Sequence, residues 1–207
     1  MRTTKFLYFD LGNVLLGFDH RRGAAQMAAV ARISPEQVWE VVFEGDLQEQ
    51  VECGQISSDE FYQLFCDRTN TRPDQAELAL AGSDIFDINS YIVPLVGSLH
   101  MSNHRMGVLS NTCGDHWNLV TDGRFTIVNR MFDIFTLSHE VGAAKPDPLI
   151  YAAAADRAEC LPTEIFFVDD LEPNVAAAKE AGFDAVLFES VDRLASDLRQ
   201  RGLEFNF

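Results

Sequence analysis

Five short apolar runs, rich in aromatic and β-branched side chains, recur along the chain. They show no alternation with polar residues, so each is predicted to be a strand buried on both faces of a sheet. The runs span residues 6–9, 106–109, 134–137, 165–168 and 185–188. Helical patterns at 114–121, 147–157 and 173–181 separate the later runs, and Gly182 is a typical C-terminal cap. Strands alternating with helices predict an α/β fold with a parallel, doubly wound sheet.

The interval between the first two runs is too long for a simple crossover and has a helical pattern of its own. Helices are predicted at 21–32, 35–43, 58–68 and 73–81. Ser34 and Ser57 are suited to cap two of them, and Glu60, three residues after Ser57, completes a capping-box pattern. The sequence therefore predicts an α/β core formed by residues 1–17 and 90–207, with a small all-helical domain, residues 18–89, inserted after the first strand.

Composition and charge narrow the range of partners. The chain has 207 residues, 47% of them hydrophobic and 23% charged, which is typical of a globular protein. Acidic residues outnumber basic ones 32 to 16, giving a formal charge of −16. Nucleic acid and anionic membrane surfaces would be repelled, so neither is expected as a partner.

Four dispersed cysteines form no Cys-x-x-Cys pair, which favours reduced thiols over a disulfide framework or a zinc ribbon. Neither a secretory signal pattern nor an apolar stretch of membrane-spanning length is evident. We therefore expect a cytoplasmic protein, either a monomer or a homodimer.

Polar residues follow four of the predicted strands. They are Asp10 after the first, the segment Ser110-Asn111 after the second, Lys145 in the loop beyond the third, and Asp169-Asp170 after the fourth. Ligands of open parallel sheets bind outside the carboxyl ends of the strands, so these residues are predicted to meet in one crevice.

The residue types suit phosphoryl chemistry. Asp10, Asp169 and Asp170 offer the hard oxygen ligands that Mg²⁺ prefers. Ser110 offers a hydroxyl group and Asn111 a side-chain amide to phosphate oxygens, while Lys145 supplies a positive charge. An aspartate at a strand end can also act as the nucleophile that forms an aspartyl-phosphate.

Four segments resemble the sequence motifs of the haloacid dehalogenase-like (HAD) hydrolase superfamily, in the same order along the chain. They are 9–14 (Phe-Asp-Leu-Gly-Asn-Val), 109–112 (Leu-Ser-Asn-Thr), 145–148 (Lys-Pro-Asp-Pro, followed by Tyr151) and 167–170 (Phe-Val-Asp-Asp, followed by Asn174). The resemblance covers the whole chain and implies a Rossmann-like core with an inserted helical cap. The Asp-x-Gly-Asn-Val form is similar to a branch of small phosphatases that includes sugar-phosphate phosphatases.

The resemblance implies a role for each residue. Asp10 would be the nucleophile, and the metal ligands would be Asp10, the carbonyl of Gly12, and Asp170. Ser110 and Asn111 would bind the phosphoryl group, Lys145 would neutralise it, and Asp169 would lie in the outer shell of the metal site, with Asn174 steadying its loop. The expected activity is Mg²⁺-dependent hydrolysis of a small phosphorylated metabolite, such as a hexose phosphate.

One position departs from the pattern of many of these phosphatases, which carry an acid/base aspartate two residues after the nucleophile. Here that residue is Gly12, which has no proton to give. Asp19 and His20 are candidate substitutes. Two alternatives follow: a 2-haloacid dehalogenase, which needs no Mg²⁺ and is disfavoured by Asp169-Asp170, and a phosphate-binding family member with little turnover. A signalling receiver is disfavoured by chain length and by the acceptor lying on the first strand.

Overall fold

A computed structural model describes residues 4–207, and its centre is a parallel sheet. The strands in chain order are β1 (Phe6–Phe9), β2 (Leu16–Phe18), β3 (Phe86–Ile88), β4 (Met106–Ser110), β5 (Ile134–Leu137), β6 (Ile165–Asp169) and β7 (Asp184–Leu187). Five of them form the parallel sheet in the order β5-β4-β1-β6-β7. All five predicted strands are confirmed to within one residue at each end.

Helices surround this sheet and fill the interval between β2 and β3. They are α1 (His20–Ala31), α2 (Pro35–Trp39), α3 (Leu47–Glu52), α4 (Ser58–Thr69), α5 (Gln75–Ser83), α6 (Val93–Met101), α7 (Gly114–Thr121), α8 (Thr126–Met131), α9 (Ser138–Val141), α10 (Pro148–Ala158), α11 (Glu172–Glu180) and α12 (Val191–Gln200). A π-helical turn covers Glu40–Glu44 and a 3₁₀ turn covers Pro162–Glu164. Within residues 4–207, no helix combines the length and the apolar character needed to cross a bilayer.

Both faces of the sheet are buried, as the uninterrupted apolar runs predict. Along β1, Leu7 and Phe9 join an apolar cluster that includes residues of α6, α7, α8 and α12. Phe6 and Tyr8 point to the opposite face and join residues of α10 and α11. Because successive side chains of a strand alternate between faces, a strand covered by helices on both sides has to be apolar throughout. The doubly wound α/β fold is therefore confirmed.

The strand order brings three chemically important strand ends together. β4 and β6 both pair with β1 in parallel, on its two sides. The chain order reverses at β1, and a reversal of this kind opens a crevice at the carboxyl edge of the sheet. The ends of β4, β1 and β6 carry Ser110, Asp10 and Asp169, which are therefore neighbours in space.

The helices inserted after β2 pack around an apolar cluster of their own, which includes Met27, Val38, Phe65 and Leu78. The prediction that residues 18–89 are all helical is wrong at both ends, because Phe18 ends β2 and β3 lies inside this range. The two strands form an antiparallel ribbon. Three-residue strands are too short to show a period in the sequence, so the local pattern does not predict them. The division into a core and a cap with these limits stays a prediction.

Two predicted helices differ from the observed ones at their ends. The helix predicted at 35–43 is α-helical only through Trp39 and continues as the π-helical turn. The helix predicted to start at residue 73 starts at Gln75, because the Asp74 carboxylate accepts the Glu77 N–H at 2.9 Å and caps the helix there. The Ser57 capping box is confirmed, with the Ser57 hydroxyl accepting the Glu60 N–H at 3.2 Å and Glu60 accepting the Ser57 N–H at 2.8 Å.

Candidate active site

Asp10 lies directly after β1, where its main-chain N–H donates to the Val168 carbonyl at 2.9 Å. One carboxylate oxygen, Oδ1, accepts the Leu11 N–H at 2.7 Å and pairs with the Lys145 Nζ at 2.8 Å. The side chain is buried. Burial raises the pKa of Asp10 to about 7, although the charge of Lys145 acts to lower it. A neighbouring cation would therefore favour the ionised form that a nucleophile requires.

Lys145 is the positive centre of the site, and only 5% of its surface is exposed. Its Nζ lies 2.8 Å from Asp10 Oδ1 and 2.6 Å from Asp169 Oδ2, and it donates to the Leu109 carbonyl at 3.0 Å. These three acceptors match the three protons of an ammonium group. Burial alone would lower the pKa of Lys145, but the two carboxylates raise it above its ordinary value, so the group stays charged.

Asn111 holds the main chain of Lys145 in place. Its Oδ1 accepts the Lys145 N–H at 2.7 Å, and its Nδ2 donates to the Lys145 carbonyl at 2.9 Å. Both ends of the side-chain amide are thus engaged with the lysine, and the binding of phosphate by this amide stays a prediction. Asn111 can still offer its main-chain N–H to an anion. The residue thus links the end of β4 to the loop that delivers Lys145.

Asp169 is buried at the end of β6, and both of its carboxylate oxygens are used. Oδ2 accepts from Lys145, while Oδ1 accepts the Leu171 N–H and the Asn174 amide, both at 2.9 Å. Tyr151 donates its hydroxyl proton to the Asn174 carbonyl at 2.9 Å. These contacts fix the loop after β6. Asp169 therefore orients Lys145, and neither of its oxygens is available to a ligand.

The carboxylates of Asp10, Asp169 and Asp170 form an acidic cluster in which one oxygen of each lies within 4.8 Å of the others. Asn13 donates its side-chain amide to Asp170 Oδ2 at 2.9 Å. Within residues 4–207, one carboxylate oxygen of Asp10 and one of Asp170 accept no hydrogen bond. Both oxygens of Asp169 accept hydrogen bonds. Two available carboxylates fit Mg²⁺, which is usually bound by one or two carboxylates and keeps several waters.

Asn13 belongs to the first motif, but no role for it follows from the sequence. Its backbone has φ 54°, in the left-handed region, which asparagine tolerates better than most residues. The signal available was its place directly after Gly12 in the first motif. The conformation reverses the chain, so that the Asn13 N–H donates to the Leu16 carbonyl at 2.7 Å and the side chain reaches Asp170.

A small pocket adjoins this cluster on the side of the inserted helices. Gly12, Ser110 and Asn111 line it from the sheet, and the remaining lining includes Phe18, His20, Glu52, Thr112 and His116. Ser110 is buried and donates its hydroxyl proton to the Asn111 carbonyl at 3.3 Å. The pocket is thus bounded by Ser110 and Asn111, the two predicted phosphate-binding residues, on one side and by titratable side chains on the other.

The two candidates for a substitute acid occupy different positions. Asp19 is the N-cap of α1, and its carboxylate accepts the Arg21 N–H at 2.8 Å and the Arg22 N–H at 3.2 Å. Both bonds end on Oδ1, and Asp19 is not among the residues that line the pocket. His20 does line the pocket, but burial, with His116 as a further cause, lowers its pKa to about 4. A neutral imidazole is a weak proton donor at neutral pH.

Comparisons with known proteins agree with this geometry. A family model described as haloacid dehalogenase-like hydrolase matches residues 7–182. The D-ribitol-5-phosphate phosphatase of Bacteroides thetaiotaomicron is 26% identical over 188 residues, covering 87% of this chain and 89% of that protein.

Solved structures of similar proteins share the fold. A HAD family enzyme from Bacteroides thetaiotaomicron superposes with a TM-score of 0.80 at 27% identity, over 93% of this chain and 98% of that one. Other crystal structures of that enzyme contain magnesium and inorganic phosphate. A HAD-like hydrolase from Porphyromonas gingivalis, 22% identical, has the same fold with a TM-score of 0.80 over 96% of this chain and 98% of that one. The chain thus belongs to the haloacid dehalogenase-like hydrolase family, and the protein is a hydrolase.

Proposed function

We propose that this hydrolase is a Mg²⁺-dependent phosphatase of small phosphorylated metabolites and acts through an aspartyl-phosphate. The observation that carries the proposal is the pairing of buried Asp10 with Lys145 beside two further carboxylates. The likeness to a D-ribitol-5-phosphate phosphatase supports a sugar or polyol phosphate as substrate, such as a hexose or pentitol phosphate. A cytoplasmic location and a monomeric or dimeric state belong to the same proposal.

Asp10 attacks phosphorus and takes over the phosphoryl group. The Leu11 N–H and the Lys145 ammonium group hold its Oδ1 in a fixed orientation, which lowers the entropy cost of reaching the reactive geometry. The Ser110 hydroxyl and the Asn111 main-chain N–H bind phosphoryl oxygens. Lys145 reduces the repulsion between the attacking carboxylate and the anionic substrate.

Asp10, the Gly12 carbonyl and Asp170 would hold the cation, and Asn13 keeps Asp170 in position. When bound, Mg²⁺ supplies charge neutralisation at the phosphoryl oxygens. Asp169 positions Lys145 and, through Asn174, the loop that carries Asp170. Water then hydrolyses the aspartyl-phosphate and restores Asp10. Residues 18–89 would cover the crevice as a cap and contact the rest of the substrate.

A dehalogenase that uses Asp10 on carbon is the second candidate. Halide displacement needs no cation, so a dehalogenase activity would not explain the acidic cluster of Asp10, Asp169 and Asp170. A phosphate-binding protein without turnover is the third, and Gly12 is its motivation. Both give results that differ from those of a phosphatase in the following experiment.

The test is phosphate release from a panel of sugar and polyol phosphates, with Mg²⁺ and with EDTA, for the wild type and for Asp10→Asn. We expect activity that requires Mg²⁺ and disappears in Asp10→Asn. Asp156→Asn, at an exposed position of α10, is the matched control and should behave as wild type. Phosphate release that persists in Asp10→Asn would refute the mechanism. Halide release from a 2-haloacid without metal would favour the dehalogenase, and phosphate binding without release would favour the inactive form.

A further inference from the structure

Position 12 raises a question about proton transfer. An alkyl phosphate has a poor leaving group, and protonation of the departing oxygen by a positioned acid accelerates such steps by about 10²- to 10⁴-fold. Gly12 cannot supply the proton, and Asp19 caps a helix without lining the pocket. We therefore expect the proton donor to be one of the groups that line the pocket beside Ser110.

The ionisable side chains that line this pocket are His20, His116 and Glu52. Burial lowers the pKa of both histidines, that of His20 to about 4. At neutral pH both imidazoles are therefore uncharged and poor acids. Among the residues that the structure describes, Glu52 is the one carboxylic acid that lines the pocket.

Glu52 is the last residue of α3 and reaches the pocket from the inserted helices. Gln48, one turn earlier, donates its side-chain amide to Glu52 Oε1 at 2.7 Å and fixes the carboxyl group, while Oε2 accepts no hydrogen bond from residues 4–207. Burial raises the pKa of Glu52. The Gln48 hydrogen bond, His116 when it carries a proton, and the charge of Lys145 oppose that rise, whereas Glu49 adds to it. The carboxyl group thus keeps its proton to a higher pH than a solvated glutamate does.

A second observation concerns Thr112, another residue of the pocket lining. The Thr112 side chain is buried and lines the pocket with Glu52. Its Oγ1 atom has no hydrogen-bond partner among residues 4–207. A buried hydroxyl group without a partner is unfavourable by about 1–3 kcal/mol, so any polar group that reached Oγ1 would be favoured.

We propose that Glu52 is the general acid and base of the reaction and replaces the side chain that Gly12 lacks. This inference rests on the proposed phosphatase function. As the bond from Asp10 to phosphorus forms and the ester bond breaks, the Glu52 proton moves to the leaving oxygen and releases a neutral alcohol. Glu52, now ionised, accepts a proton from the water that attacks the aspartyl-phosphate. This step releases phosphate, restores the Asp10 carboxylate and returns Glu52 to its protonated form.

The experiment compares a polyol or sugar phosphate with p-nitrophenyl phosphate, whose leaving group needs no protonation. The variants are Glu52→Gln, which can still accept the Gln48 hydrogen bond, and Glu52→Asp, which keeps a carboxyl group. Glu44→Gln, at an exposed position of the inserted helices, is the matched control. Circular dichroism and thermal unfolding establish that each variant is folded.

For Glu52→Gln we expect kcat on the alkyl phosphate to fall by about 10²- to 10⁴-fold, with a far smaller loss on p-nitrophenyl phosphate. Glu52→Asp should recover part of the activity, and Glu44→Gln should match the wild type. Equal losses on both substrates, or a rise in KM with kcat unchanged, would overturn the assignment of Glu52 alone. If the wild type releases phosphate from neither substrate, the phosphatase proposal fails, and the assignment of Glu52 fails with it.

Discussion

The ring of Phe18 lies against Gly12, so closely that a Cβ atom at position 12 would come within 2.8 Å of Phe18 Cε1. Phe18 is the last residue of β2, and 37% of its surface is exposed. The space next to Gly12, where an acid side chain would begin, is therefore occupied by an aromatic ring. The glycine and the phenylalanine form a matched pair.

We expect Gly12→Ala to lower the free energy of unfolding by about 1 kcal/mol, because the partly exposed ring has to move away from the new methyl group. In a Phe18→Ala background, the same substitution should have almost no effect. Urea denaturation of the two single variants and the double variant measures this coupling. Strictly additive effects would show that the two residues do not constrain each other.

Lys145 separates two buried carboxylates, and its loss should expose their repulsion. Lys145→Met keeps the size of the side chain but leaves Asp10 and Asp169 without the charge that pairs with both. We expect the free energy of unfolding in EDTA to fall by about 3–5 kcal/mol. Added Mg²⁺ should restore part of it by supplying positive charge to the acidic cluster. Lys179→Met, at an exposed position, is the control, and a similar loss there would contradict the prediction.

Asn111→Ala should remove the two hydrogen bonds that hold the Lys145 main chain. We expect a loss of about 1–3 kcal/mol in stability, because polar groups of a half-buried loop lose their partners. Activity should fall as well, since Lys145 loses its position. Asn129→Ala, which removes one exposed hydrogen bond to the Thr121 carbonyl, serves as the comparison. If Asn111→Ala kept full activity, the hydrogen bonds from Asn111 would not be needed for the function of Lys145.

His20 should make the protein less stable in acid. Its pKa in the folded protein is about 4, below the value of 6.5 expected for the unfolded chain, because burial disfavours the charged ring. The unfolded state therefore takes up a proton first, and stability falls as the pH decreases from about 6.5 to about 4. His20→Gln should lose less stability than the wild type across this range. The measurement is the free energy of unfolding from chemical denaturation at several pH values. The same dependence on pH in the wild type and in His20→Gln would show that His20 does not cause the loss.

The sequence alone determined the parts of this protein that depend on local pattern. Strands buried on both faces have to be continuously apolar, so the five strands and their parallel arrangement could be predicted. The polar residues that follow them, from Asp10 to Asp169, could be predicted to meet because the carboxyl ends of parallel strands share one edge. The helices inserted after the first strand and the Ser57 capping box also follow from local signals.

Tertiary structure decided which partner each side chain has. Whether Asn111 contacts a ligand or the Lys145 main chain depends on the path of a loop from β5, and nothing in its own segment records that path. The turn in which the Asn13 N–H donates to the Leu16 carbonyl returns the chain to Gly12, and β2, which ends in Phe18, then pairs with β3 far along the chain. In the sequence, Glu52 is one of several acids at helix ends, and only the packing of α3 places it in the pocket lining. Hydrophobic periodicity encodes which face is buried, but contacts between side chains distant in sequence arise only when the elements pack.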